Sequence, residues 1–129
     1  MTPARLALVA DDDAAARRLM TRLLQQQGWT VVEATNGEEA LKICDRQTPA
    51  LILLDLRMPG PVDGLRAASL LRQQPSFQKV PIIAVSASSS ENFRQRALQA
   101  GCTAFLSKPL NRNELVRQLQ LLTREEETR

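Results

Sequence analysis

Short apolar runs recur along the chain, and segments with helical spacing separate them. Residues 5–10 (RLALVA) form the first run, and three consecutive acids follow it at once. Residues 30–34 (TVVEA) form the second. The third is the most apolar: Leu51-Ile52-Leu53-Leu54 runs into Asp55, and Met58-Pro59-Gly60 ends it. The fourth covers 80–85 (VPIIAV) and delivers Ser86. The fifth is 103–106 (TAFL), closed by Ser107-Lys108-Pro109. An unbroken apolar run of this length, bounded by turn residues, reads as a strand covered on both faces, as in parallel sheets.

Between the runs the period changes. Over 14–27, Leu19, Met20, Leu23 and Leu24 share one helical face, and Gly28 fits the C-terminal cap. Asn36 with Glu39 opens a second helix to about Arg46, with Ala40, Leu41 and Cys44 inward. A third helix spans about 65–74 and stops before Pro75. Ser88 with Glu91 has capping-box spacing for a fourth over 90–100, which Gly101 caps. Asn111 with Glu114 opens the last, which carries Leu115, Leu119 and Leu122 on one face. Strands alternating with helices predict an α/β fold: a doubly wound, five-stranded parallel sheet with right-handed crossovers and five helices. The expected strand order is the flavodoxin-like 2-1-3-4-5.

That topology gathers the polar residues. Every strand of a parallel sheet ends on the same edge, where ligands bind. Asp11 and Asp12 end the first strand, Asp55 the third, Ser86 the fourth and Lys108 the fifth. Three carboxylates in one pocket repel unless cations join them. Lys108 is one such cation. A hard divalent ion such as Mg²⁺ suits carboxylate and carbonyl oxygens. Asp13 fits a helix cap and takes no part in the metal site.

Composition narrows the chemistry. At 129 residues the chain is expected to be one domain over 1–129, with a core at about 5–122 and a frayed charged tail at 124–129. It contains no histidine, which excludes histidine metal sites, Ser-His-Asp triads and a phosphohistidine carrier role. Cys44 and Cys102 lack CxxC spacing and read as reduced, buried thiols in a cytoplasmic protein. No run approaches the length of a membrane span. The net charge is +3, and the suspected site acids sit in an otherwise basic chain. The arginines fall at helical spacing without dense clusters, which reads as solvated helix faces and argues against nucleic acid.

The set Val9-Ala10-Asp11-Asp12-Asp13, Leu53-Leu54-Asp55-Leu56-Arg57-Met58-Pro59, Ile83-Ala84-Val85-Ser86-Ala87 and Phe105-Leu106-Ser107-Lys108-Pro109 resembles the receiver domain of bacterial two-component response regulators. The resemblance spans essentially the whole chain, in order. It implies a stand-alone receiver without an output domain, in which Asp55 accepts a phosphoryl group from the phosphohistidine of a sensor kinase or phosphotransfer protein. Asp11, Asp12, Asp55 and the Arg57 backbone carbonyl match the Mg²⁺ site. Lys108 matches the lysine that pairs with phosphoryl oxygens. Ser86 matches the hydroxyl that turns in to bond them, and Phe105 the aromatic that moves inward with it. The Lys108-Pro109 peptide matches one often cis in the family. Such a chain is a signalling switch, not a metabolic enzyme. It presents a face of the fourth helix, fifth strand and fifth helix to an unidentified downstream protein or to a second copy of itself.

Three features depart from the family pattern. The segment Met58–Gly64 is one residue longer than usual and contains Pro61. Arg57 adds a cation two residues past Asp55, which can contact the phosphoryl group or restrain attacking water, so the motifs alone do not fix phosphoryl lifetime. Phe105 lacks the hydroxyl that many relatives carry there. Two other functions fit less well. A phosphorylation-independent adaptor would not require the intact acids, Ser86 and Lys108. An Asp-nucleophile phosphatase of the haloacid-dehalogenase type has an acid where this chain has Arg57.

Overall fold

The computed structural model describes residues 5–88 and 90–127, the side chains of 123–127 excepted. In chain order the elements are β1 (Arg5–Ala10), α1 (Ala14–Gln26), β2 (Trp29–Ala34), α2 (Gly37–Arg46), β3 (Leu51–Asp55), α3 (Gly64–Arg72), a 3₁₀ turn (Pro75–Phe77), β4 (Ile82–Ser86), α4 (Glu91–Gln99), β5 (Ala104–Ser107) and α5 (Arg112–Glu127). The strands are parallel, in the order β2-β1-β3-β4-β5. No helix among the described residues is long and apolar enough to cross a membrane.

The central strands are buried on both faces because alternate residues feed two cores. Leu8, Ile52, Leu54, Ile82 and Ala84 meet Ala40, Cys44, Ala67, Leu71 and Phe77 on the α2–α3 side. Val9, Leu53, Ile83, Val85 and Leu106 meet Met20, Leu24, Leu115 and Leu119 on the α1–α5 side. The register sets Val9 beside Leu53. Two residues further along, the same alternation carries Asp11 and Asp55 toward the α1–α5 side of the sheet edge.

Several boundaries differ from the sequence reading. β4 begins at Ile82, not Val80: Pro81 has no N–H to donate, although its carbonyl accepts from Ile52 N–H at 3.0 Å. The cap of α4 is Ser90, whose hydroxyl accepts from Phe93 N–H at 3.3 Å. Ser88 N–H turns back to Ser86 Oγ at 3.1 Å instead. α3 ends at Arg72, and a separate 3₁₀ turn follows from Pro75. Leu19 leaves the buried face of α1, which Met20, Leu23 and Leu24 form without it. α5 continues past the expected end of the core to Glu127, since no Gly or Pro interrupts it; residues 128 and 129 lie outside the described residues.

The opposite edge of the sheet is tied by Arg72. Its guanidinium donates to the carbonyls of Gly101 (2.7 Å), Phe77 (2.5 Å) and Val80 (2.6 Å) and to Thr103 Oγ1 (3.2 Å). One side chain thereby satisfies three carbonyls, from the α3–β4 and α4–β5 connections, that lie outside the strand ladders. Arg72→Leu is expected to cost about 2–3 kcal/mol, because three carbonyls and the Thr103 hydroxyl lose a charged donor at once. Urea denaturation would show a lower midpoint with an unchanged slope.

Candidate functional site

Asp11 is fully buried. Its backbone is pinned twice: its N–H donates to Ala34 O at 3.1 Å, and its carbonyl accepts from Arg17 Nη1 at 2.8 Å. Arg17 also lies 3.6 Å from Glu33, which accepts from the Thr21 hydroxyl. Asp11 Oδ1 accepts from Asp13 N–H at 2.9 Å. Asp13 itself caps α1, accepting from Ala16 N–H at 3.2 Å, in keeping with the role read from the sequence.

Asp55 is also buried, and its Oδ1 accepts from Arg57 N–H at 3.2 Å. Lys108 reaches between the two acids. Its Nζ lies 2.7 Å from Asp11 Oδ2 and 3.4 Å from Asp55 Oδ2. The contact with Asp11 Oδ2 is an ion pair at hydrogen-bonding distance, and this buried oxygen, with more than one lone pair, has acceptor capacity left over. Carboxylate oxygens of Asp11, Asp12 and Asp55 lie within 4.8 Å of one another, with Asp12 exposed at the rim.

The electrostatics follow from this crowding. Burial pushes the Asp55 carboxyl up to about 6, the charge of Asp11 adds to the rise, and Lys108 and the Arg57 N–H oppose it. For Lys108, burial works against the charged form, but the contact with Asp11 and the charges of Asp55 and Asp11 outweigh it, so its pKa is raised. One ammonium shared by two buried carboxylates leaves a net negative pocket. Three hard oxygen donors and no soft ligand are the donor set of Mg²⁺ or a similar ion, and the uncommitted lone pairs of Asp11 Oδ2 face that need.

Ser86 ends β4, fully buried; its hydroxyl accepts from Ser88 N–H and keeps its own proton to donate. Phe105 is already inside, 6% exposed, with Arg94 over its ring at 4.9 Å. The Lys108-Pro109 peptide is cis. The longer Met58–Gly64 segment packs back on α2: Val62 covers Gly37, where a Cβ would stand 2.1 Å from the Val62 carbonyl. Two features escaped the sequence reading. Arg17 holds the Asp11 carbonyl, and Arg57 stacks on Phe93 of α4, 5.1 Å from the ring centroid. Beside the acids, a groove of about 440 Å³ opens between Ala15, Leu19 and Met20 of α1 and the Lys108-Pro109-Leu110 segment.

With this fold and this pocket, comparison with known proteins is direct. The response regulator receiver domain family matches residues 7–120, and the chain belongs to that family. It is 37% identical over 113 residues to an uncharacterised 14.6 kDa protein of Leptolyngbya boryana, covering 88% of this chain and 86% of that protein. It is 31% identical over 104 residues to the polar-differentiation response regulator DivK of Brucella anthropi, covering 81% of this chain and 84% of DivK. Among solved structures, the receiver domain of the sensor histidine kinase PA1611 from Pseudomonas aeruginosa PAO1 superimposes with a TM-score of 0.84 at 33% identity, covering 92% of this chain and 97% of that one. That structure has a magnesium ion coordinated in its active-site cleft. The chain is therefore a receiver domain of the two-component signalling class, a switch fold and not a metabolic enzyme family.

Proposed function

We propose that this receiver domain takes a phosphoryl group onto Asp55 from the phosphohistidine of a sensor kinase or phosphotransfer protein, and that the modified site alters a protein-binding face. The observation that carries the reading is the shared ammonium: Lys108 pairs with both Asp11 and Asp55 in a pocket where three carboxylates converge. In the transfer, an Asp55 oxygen forms the new P–O bond. The P–N bond to the donor imidazole breaks, its electron pair stays on nitrogen, and that nitrogen takes up a proton from water. Such a loose transition state asks the protein for alignment and charge neutralisation more than for covalent machinery.

Asp11, Asp12, Asp55 and the Arg57 carbonyl would hold Mg²⁺; when bound, it supplies the positive charge that offsets the crowded oxygens. Lys108 neutralises phosphoryl oxygens from the other side. Asp11 holds Lys108 in place, and the Asp13 N–H and the Arg17 guanidinium in turn hold Asp11. After transfer, Ser86 has a proton to donate to one of the new acceptors. That bond favours one arrangement of the β4–α4 connection over another, a population shift of the usual kind. Leu98 on α4 and Leu121 on α5 stay exposed, which supports the α4–β5–α5 face as the surface that meets a downstream protein or a second copy.

The test is incubation with Mg²⁺ and acetyl phosphate, followed by intact mass. Wild type should gain one phosphoryl unit, and Asp55→Asn should gain none. A full mass shift on Asp55→Asn would end the assignment. The same incubation with a chelator should leave wild type unmodified.

A further inference from the structure

Arg57 serves the site with its backbone and another element with its side chain. Its N–H donates to Asp55 Oδ1 at 3.2 Å. Its guanidinium lies over the ring of Phe93, 5.1 Å from the centroid, and Arg96 lies 5.5 Å from the same centroid. A single phenyl ring near the start of α4 therefore carries two guanidiniums. Arg57 and Arg96 are both exposed and Phe93 is half-buried. Exposed cation–π contacts are weak, and two like charges on one ring repel. Arg57 is the easier of the two to remove. Arg96 belongs to α4 itself and keeps the ring covered when Arg57 leaves.

A phosphoryl group on Asp55 would compete for Arg57. It brings close to two negative charges and three acceptor oxygens into the pocket. Lys108 is a single point charge already divided between Asp11 and Asp55. A guanidinium binds phosphoryl oxygens through paired, charge-assisted hydrogen bonds, which outweigh a solvent-exposed ring contact. We propose that Arg57 is a second phosphoryl-binding cation, stored on Phe93 until Asp55 is modified, so that filling the site withdraws Arg57 from α4. The inference rests on Asp55 being the phosphorylated residue. It joins the pocket to α4 through Arg57, a link separate from Ser86.

Linkage gives the two ends of this contact opposite effects. Whatever the bound anion must pull Arg57 away from reduces anion affinity by the strength of that contact. Phe93→Leu keeps apolar bulk but removes the ring face. Arg57→Ala removes the guanidinium and keeps the backbone N–H and carbonyl. The probe is beryllofluoride, titrated calorimetrically into the full chain at saturating Mg²⁺. Arg57→Ala should bind it about ten-fold more weakly, as expected for loss of charge-assisted bonds at a partly open site. Phe93→Leu should bind it about two- to five-fold more tightly, the range of an exposed cation–π contact. In the double variant, Phe93→Leu should have no effect. Hydrogen exchange in the first turn of α4 should quicken when beryllofluoride binds wild type and stay unchanged in Arg57→Ala.

Failure of wild type to bind beryllofluoride would overturn both this inference and the Asp55 assignment. Binding by wild type with no gain in Phe93→Leu, or with an equal gain in the Arg57→Ala background, would overturn the role of Arg57 alone.

Discussion

Lys108→Ala is expected to destabilise the metal-free protein by about 2–3 kcal/mol at pH 7.5 and by less near pH 5. Removing one member of a buried ionic cluster leaves the others uncompensated, and here two carboxylates would remain. Full loss of a buried pair costs about 3–5 kcal/mol. The lysine side chain is 20% exposed, which lowers the figure. The sign of the pH dependence follows from Asp55. Its folded pKa, about 6, is above its ordinary value of 3.8. The folded state therefore holds the proton more tightly, and stability falls as pH rises from about 4 through 6. Lys108 opposes that rise, so its loss moves the Asp55 pKa higher still. Below about 5 the carboxyl is neutral in both proteins and the difference attributable to Asp55 disappears. The raised pKa of Lys108 adds stability that is complete below its ordinary 10.5 and is lost only as pH climbs through its folded value, so it is fully present at 7.5. Urea midpoints of both proteins across pH 4.5–8.5 check this, and curves that stay parallel would refute it. In the Lys108→Ala background, Asp55→Asn should recover part of the loss at pH 7.5, because one of the two uncompensated charges goes with that carboxylate while Asp11 keeps the other.

How much of this was legible beforehand depended on the range of the signal. The strands announced themselves because both faces are buried, leaving runs such as 51–54 with no polar interruption. The convergence of Asp11, Asp55 and Lys108 followed from strand order alone, since parallel strands share an edge. Local details were less readable. Ser88 and Ser90 are both good caps two residues apart, and the choice fell to Ser90 because Ser88 N–H is engaged by Ser86. Leu19 fits the apolar period of α1, but the helix is rotated so that this residue rims a groove. The contacts of Arg57, Arg72 and Arg17 depend on how separate elements sit, and a flexible cation has no periodicity to betray its partner. Arg72 in particular looks like one more solvated arginine until the carbonyls of 77, 80 and 101 are seen around it.

The second large effect is expected from a methyl group. Gly64 opens α3 against the end of β3, and its N–H donates to the Leu56 carbonyl at 3.2 Å. A Cβ there would stand 2.2 Å from the Asp55 carbonyl oxygen and 2.6 Å from Leu56 Cα. Both are backbone atoms at the end of β3, Asp55 being its last residue and Leu56 the next, so neither can rotate away. Small-to-large changes in packed cores usually cost about 1–3 kcal/mol, and an unyielding backbone places Gly64→Ala at the top of that range or above, about 3–4 kcal/mol. Two other glycines calibrate the mechanism. At Gly28 the left-handed backbone, φ +91°, has open space around the missing Cβ, so Gly28→Ala carries only conformational strain of about 1 kcal/mol. At Gly37 the obstacle is the carbonyl of Val62, 2.1 Å away, within the irregular segment that precedes α3. That segment lies outside the sheet ladder and can yield, so Gly37→Ala should fall between the other two. Urea denaturation of the three variants should rank them 64, 37, 28 in order of loss. The Gly64 variant should also lose acetyl phosphate labelling out of proportion to its unfolded fraction, because relieving the clash moves the peptide that follows Asp55. Normal labelling of a destabilised Gly64→Ala would show instead that α3 retreats and leaves the end of β3 in place.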